Sequence, residues 1–280
     1  MVNAFVNKVA KIITSKFNQN YTLIFTGPTG TGKSYASMSF AMALASRISE
    51  IKGGKPSDYF EVDRCMSVID IWKFFDVLEN AKPYNVVVCD DAGVGLNARK
   101  FMDAINVTVN NISQTYRTLN LCTIFSVPEL YFVDRVIRSL CDALCEMEGM
   151  ITADLSRGKI FEIQRKSRLG SSGKLFYTYP RSHQEKTIGI TFERPPEHVC
   201  VKYETLRRTA AEEYRVKSIE LLREGEAKLA EKREGLSPKK NSVEEAEILI
   251  KHGIPVGESC AKAGISTSCL YKYRDKQKGQ

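Results

Sequence analysis

The sequence predicts an α/β fold built as a doubly wound sheet, with β-hairpins added beyond the alternating core and a small all-α unit at the end. Three observations predict it. Residues 21–146 alternate short apolar, strand-like runs with longer segments of helical periodicity, the order expected when helices cover both faces of a sheet. Between the first strand-like run, Tyr21 to Thr26, and the first long helical segment, from Tyr35, lies Gly27-Pro28-Thr29-Gly30-Thr31-Gly32-Lys33-Ser34. The last forty residues return to short helical segments punctuated by Gly253 and Gly264.

Residues 1–20 come first, as an amphipathic helix. Phe5, Val9, Ile12 and Ile13 share one helical face with Lys8 and Lys11 off it, a modest apolar stripe that predicts packing on the core more than binding to a membrane surface. Gly27 to Ser34 then forms a phosphate-binding loop in its required strand-loop-helix context. Its glycines let backbone N–H groups turn inward around a triphosphate, the helix N-terminus adds positive potential, Lys33 reaches the β/γ-phosphates and the Ser34 hydroxyl can ligate Mg²⁺.

The spacing next predicts a short strand over Tyr59 to Val62 and a helix over Val68 to Leu78. Asn85-Val-Val-Val-Cys-Asp90-Asp91 follows, a continuous apolar run of the kind buried on both faces, ending in two carboxylates. At the carboxyl end of such a strand Asp90 could hold Mg²⁺ through a water and Asp91 could polarise an attacking water. The two aspartates could instead cap the turn that begins at Ala92. A polar helix from about Ala98 to Tyr116, a buried strand over Leu121 to Ser126 and a helix over Pro128 to Glu146 complete the core. Ser126, at the end of its strand, is placed to sense a γ-phosphate.

From Met150 the pattern changes to hairpins. Ile151 to Leu155 and Lys159 to Gln164 read as two strands joined by a turn at Ser156-Arg157-Gly158, and Gly173 to Pro180 reads as another strand. Residues 21–200 form the core domain, and 201–240 a charged, solvated helical arm with a linker at Leu236 to Ser242. Residues 241–280 form the terminal domain. Ser242-Val-Glu-Glu245 is a capping box, Gly253 ends that helix, Pro255 starts a second that Gly264 ends, and Ser266 caps a third. Cys260 and Leu270, small and apolar around Gly264, fit the tight packing of a helix-turn-helix. Its last helix would offer Thr267, Ser268, Tyr271, Lys272 and Arg274 to the major groove. A three-helix protein-interaction module has the same local signature.

Composition sets the outer bounds. No apolar run approaches the ~20 residues needed to cross a bilayer, and Met1 to Phe17 lacks the apolar stretch of a signal peptide. The eight cysteines form no Cys-x-x-Cys pair and predict reduced thiols in a cytoplasmic protein. The net charge of +8 is uneven: Met1 to Met150 carries 15 basic and 15 acidic groups, and Ile151 to Gln280 carries 26 and 18. A neutral first half with a basic second half suggests a polyanionic partner for the latter.

Taken together, the chain from about Tyr21 to Tyr203 resembles the DNA-pumping ATPases of the HerA and FtsK superfamily, most of all the archaeal, often mobile-element-encoded branch labelled Zot-like. The resemblance is carried by Gly27 to Ser34, Val86-Val-Val-Cys-Asp-Asp-Ala-Gly93, Gln114 to Asn120 leading into Ile124-Phe-Ser-Val-Pro128, Val133 to Arg138, Gly173 to Tyr177 and Ile190 to Pro195. The terminal segment Ile254 to Tyr271 separately resembles the helix-turn-helix of resolvase-like proteins. The resemblance implies a RecA-like P-loop ATPase core of the ASCE type, which carries an extra catalytic strand. It implies ATP and Mg²⁺ as cofactors, double-stranded DNA as partner and a homo-oligomeric ring such as a hexamer.

In such rings a neighbouring subunit supplies an arginine to the γ-phosphate, and here the candidates are Arg138 and Arg117 ahead of Arg135. The chain departs from the pattern at Asp91, where these ATPases usually carry Glu. The expected function is an ATP-hydrolysing DNA translocase or packaging-type motor of viral, plasmid or chromosomal origin. The alternatives are an AAA+-like initiator or helicase-loader ATPase and a nucleotide-gated DNA-binding regulator with little turnover. A Zot-like secretion role would need a membrane span, which the sequence lacks.

Overall fold

A computed structural model describes residues 2–91, 116–129, 141–165, 175–179, 189–235 and 240–278. The chain divides into two compact units, Met1–Arg215 and Val216–Gln280.

The first unit is organised by one mixed sheet. Its strands are β1 (Tyr21–Thr26), β2 (Met66–Val68), β3 (Val86–Asp90), β4 (Cys122–Val127), β5 (Ala143–Thr152), β6 (Leu155–Arg165), β7 (Leu175–Thr178) and β8 (Ile190–Glu193). They lie in the order β2-β3-β4-β1-β5-β6-β7, with β8 also pairing with β6. The first five positions are parallel, and β6 runs antiparallel to β5, β7 and β8. Successive side chains on the parallel strands point to opposite faces, and both faces are covered. Leu23 and Phe25 of β1, Val86 and Val88 of β3, and Ile124 of β4 enter one apolar cluster. Ile24, Val87, Cys89 and Phe125 enter the other.

Helix α1 (Val2–Ile13) packs on the first face through Phe5, Val6, Val9, Ala10 and Ile13, all buried. The Phe5 ring lies against Phe40 of α2 (Lys33–Lys52) and Tyr21 of β1, which accounts for the amphipathic pattern by core packing. Where a strand is expected over Tyr59 to Val62, the chain instead makes two single-turn helices, α3 (Pro56–Tyr59) and α4 (Val62–Cys65). Pro56 sits at the first helical position, and the Asp58 carboxylate accepts the Lys55 backbone N–H at 2.7 Å, so the local chemistry starts a helix. The sheet strand comes later, at β2. It is followed by α5 (Ile71–Glu79), which starts three residues after the predicted Val68.

Two further expectations are corrected. The predicted helix over Pro128 to Glu146 gives way to strand β5 from Ala143, with residues 130–140 outside the described set. Cys145, expected on that helix, is therefore buried in the sheet. The β5–β6 turn falls at Ala153 and Asp154, not at Ser156 to Gly158, which lie inside β6. Gly158 serves close packing: a Cβ there would meet Cys145 Sγ and the Glu146 carbonyl at 3.0 Å. The predicted helix over Ala98 to Tyr116 lies outside the described residues except at Tyr116.

Helix α6 (Glu197–Gly235) begins before the predicted arm, and one face of its early turns is buried. Cys200, Tyr203 and Ala210 are buried in the first unit. In the second unit, α7 (Lys240–Lys251), α8 (Val256–Lys262) and α9 (Thr267–Lys278) enclose Val243, Ala246, Cys260, Ala263 and Leu270. Helix α7 starts at Lys240, before the predicted Ser242 cap. It closes with Gly253 N–H on Ile250 O and Ile254 N–H on Leu249 O, and α8 with Gly264 N–H on Ala261 O and Ile265 N–H on Cys260 O. These paired bonds place a residue in left-handed backbone, which Gly253 and Gly264 supply at φ 86° and 69°. No helix among the described residues is long and apolar enough to cross a membrane.

Candidate nucleotide-binding site

The parallel sheet brings together residues that lie far apart in sequence. β1 delivers the glycine-rich loop at its carboxyl end, and α2 begins at Lys33, so the loop's N–H groups and the helix N-terminus face the same space. Gly27 is fixed by a backbone bond from its N–H to the Pro128 carbonyl at 3.1 Å, tying the loop to the end of β4. On its other side it lies against β5: a Cβ at Gly27 would sit 3.1 Å from both Cβ and the carbonyl oxygen of Met147. The loop is braced within itself by Thr31, whose hydroxyl donates to the Pro28 carbonyl at 2.8 Å.

The Lys33 side chain is buried, and its ammonium donates to the Gly27 and Pro28 carbonyls at 2.7 and 2.9 Å. Burial lowers its pKa, opposed by the charges of Asp91 and Asp90. That opposition places the acid pair within electrostatic reach of the loop lysine.

Asp90 closes β3 and Asp91 follows it, and Ser126 lies near the end of β4, which runs between β3 and β1. Asp90 is fully buried. Its Oδ2 accepts the Tyr203 hydroxyl at 2.7 Å, while its Oδ1 and the Ser126 Oγ are buried with no hydrogen-bond partner among the described residues. Buried polar atoms are nearly always paired, so two orphans at adjacent strand ends beside a phosphate loop fit a site that a metal-nucleotide complex and its waters complete. Ser34 and Asp90 are the residues that would hold Mg²⁺.

Asp91 has φ +48°, left-handed backbone that Asp and Asn tolerate better than other non-glycine residues. This gives a physical reason for the shorter acid where the family that the sequence resembles usually carries Glu. Burial first, and the Asp90 charge second, push the Asp91 carboxyl above the ordinary range, against Arg207 and Lys33. Arg207 lies 3.6 Å from Asp91 Oδ2.

The remaining predicted residues fare differently. Arg117 sits in a 3₁₀ turn ahead of β4, at the opposite end of that strand from Ser126, and its Nε donates to the Asn18 carbonyl at 2.8 Å. Arg135 and Arg138 lie outside the described residues. In the second unit Thr267, Ser268, Tyr271 and Lys272 are exposed. The Arg274 guanidinium is held by Glu247 of α7 through two bonds of 2.6 and 2.8 Å, because α7 passes beside the last helix. Sequence reasoning missed Tyr203 and Arg207. Their spacing of four puts them on one helical face, but nothing local shows that this face meets an acid pair 113 residues earlier.

The loop at the end of β1, the acid pair at the end of β3 and the intervening β4 define a phosphate-loop NTPase fold with an extra strand between its two motif strands. No protein-family model matches the chain, and no curated protein matches it in sequence. Among solved structures it is similar to PCH-2 of C. elegans, at 18% identity and TM-score 0.35 over 52% of this chain and 40% of that one. It is also similar to the AAA domain of FIGL-1, at 15% and 0.33 over 51% and 47%. A third likeness is the N-terminal domain of zonular occludens toxin from Neisseria meningitidis, at 14% and 0.32 over 59% and 96%. The chain thus spans less than half the length of the PCH-2 and FIGL-1 chains. Likenesses of this size say nothing about activity, and the class rests on the loop, the acids and the strand order.

Proposed function

We propose that the protein is an ATP-hydrolysing motor that acts on double-stranded DNA as a homo-oligomer, with its terminal three-helix unit engaging the duplex. The observation that carries the ATPase reading is the convergence of Lys33, Ser34, Asp90, Asp91 and Ser126 at the carboxyl ends of β1, β3 and β4. Mg²⁺, when bound, supplies neutralising charge at the β/γ-phosphates. Lys33 leaves the loop carbonyls to meet the phosphates, Asp91 accepts a hydrogen bond from the attacking water and holds it in line, and Ser126 reports the state of the γ-phosphate. Raised by burial, Asp91 is also suited to take a proton during that step.

The DNA reading is supported by the basic excess of the second half and by four exposed polar side chains on α9, Thr267, Ser268, Tyr271 and Lys272. An arginine supplied in trans, from Arg138 or Arg117, belongs to the same reading. One observation favours a second reading, a nucleotide-gated DNA-binding switch with little turnover: both acids are already engaged by α6.

Steady-state hydrolysis with and without long double-stranded DNA decides between them. DNA-stimulated turnover that is lost in Lys33→Ala and in Asp91→Asn supports the motor. Tight ATP binding without turnover in either condition supports the switch.

A further inference from the structure

The turn of α6 that carries Tyr203 and Arg207 meets both acids of the site at once. The Tyr203 hydroxyl donates to Asp90 Oδ2 at 2.7 Å, and one helical turn on, Arg207 lies 3.6 Å from Asp91 Oδ2. The phenol is fully buried and stands edge-on to the ring of Tyr35, the residue after Ser34. The Tyr203 hydroxyl is therefore bonded to one of the two groups that would hold Mg²⁺, and its ring packs on the residue next to the other. A magnesium ion keeps a near-octahedral shell of oxygens at about 2.0–2.1 Å, and a phenol bonded to one of its acids competes for that space.

The same helix segment is fastened around this point. Lys202 pairs with Glu61 and Asp63 at 3.1 and 2.7 Å, the Tyr35 hydroxyl donates to Glu204 at 3.0 Å, and Lys73 pairs with Glu213. The Tyr203 bond is buried, whereas these ion pairs are exposed and individually weak.

We propose that the Tyr203–Arg207 face of α6 is a latch on the acid pair, closed in the absence of metal-nucleotide and opened when Mg²⁺-nucleotide takes Ser34 and Asp90. Opening releases Tyr203 from Asp90 and Arg207 from Asp91 together, because both ride on one turn of helix. Loading of the site is thereby linked to movement of α6. This rests on the nucleotide reading above.

The test measures binding of a fluorescent ATP analogue to the full chain, first in EDTA and then across a magnesium titration, for wild type, Tyr203→Phe and Lys33→Ala. Removing the hydroxyl removes a competitor for the metal site. Tyr203→Phe is expected to bind the analogue as wild type does in EDTA and to lower the half-saturating Mg²⁺ by about tenfold, the equivalent of one hydrogen bond to a charged group. A half-saturating Mg²⁺ that is unchanged or higher in Tyr203→Phe overturns the latch and makes Tyr203 a residue that positions Asp90 for the metal.

Hydrogen exchange on the wild-type chain gives a readout that no substitution disturbs. Peptides covering residues 200–207 should exchange faster with Mg²⁺ and a slowly hydrolysed ATP analogue than without, and equal or slower exchange overturns the proposal. If the wild-type chain takes up no nucleotide, or Lys33→Ala takes it up equally, the nucleotide reading itself falls and the latch with it.

Discussion

Replacing Gly27 by Ala tests whether the phosphate loop lies against the sheet as described. Gly27 has φ +149°, a backbone conformation that side chains rarely adopt and that costs about 1–3 kcal/mol. The new Cβ would also sit 3.0 Å from Thr31 Oγ1 and 3.1 Å from Cβ and the carbonyl oxygen of Met147. Met147 cannot yield freely, because it is paired with Gly158 in the β5–β6 ladder, and overpacking of this kind costs about 1–3 kcal/mol more. The sum is about 4 kcal/mol. Gly30→Ala is the matched control: φ is +85° and nothing lies within 4 Å of the new Cβ, so only backbone strain of about 1–2 kcal/mol applies.

The assay is thermal unfolding of the full chain followed by fluorescence of Trp72, the sole tryptophan, which lies in α5 of the first unit. For a unit of this size each kcal/mol moves the midpoint roughly 2–4 °C, so Gly27→Ala should fall roughly 8–16 °C and Gly30→Ala roughly 2–8 °C. Equal shifts in the two variants would refute the contact between the loop and β5.

Three further outcomes are expected. Asp91 is held above the ordinary carboxylate range, so the folded chain keeps its proton at pH values where the unfolded chain has lost it. Stability therefore falls as pH rises from the ordinary carboxylate value through the raised one. Asp91→Asn should flatten that slope and stabilise the first unit at neutral pH by about 1 kcal/mol while abolishing hydrolysis, and an unchanged slope in thermal scans would count against the assignment. In the nucleotide-free chain Arg207→Ala should push the Asp91 carboxyl higher still, since Arg207 holds it down, and carry the stability slope to higher pH in the same thermal scans; a slope unchanged from wild type would count against the pair. Finally, Glu247→Gln frees Arg274 and removes a negative charge from the terminal unit. If that unit binds DNA, affinity should rise and the slope of log K against log salt should steepen by about one, as read by fluorescence anisotropy; no change in either would argue against DNA contact through α9.

The loop, the acid strand and the terminal helices were legible because their signals are local. Eight consecutive residues carry the phosphate loop, four apolar residues mark β3 as buried on both faces, and glycines at Gly253 and Gly264 end helices by backbone conformation alone. Where a local signal fits two structures, sequence reading fails. Ala143-Leu-Cys-Glu-Met147 is short and apolar enough for either period, and its pairing with β1 makes it a strand. Gly158 reads as a turn residue, yet the close approach of β5 requires it within β6.

The amino-acid sequence carries the chemistry on offer: a lysine and hydroxyl at a phosphate loop, two carboxylates at a strand end and a basic second half. Packing sets which groups those acids meet. Strand order put β4 and Ser126 between the loop and the acids, and the docking of α6 set Tyr203 on Asp90 and Arg207 on Asp91. Tyr203 sits in a charged stretch that reads as a solvated arm, and Arg274 sits on a face that reads as free. Partners brought in by packing from distant segments determine what a polar side chain does, and no spacing within a helix encodes them.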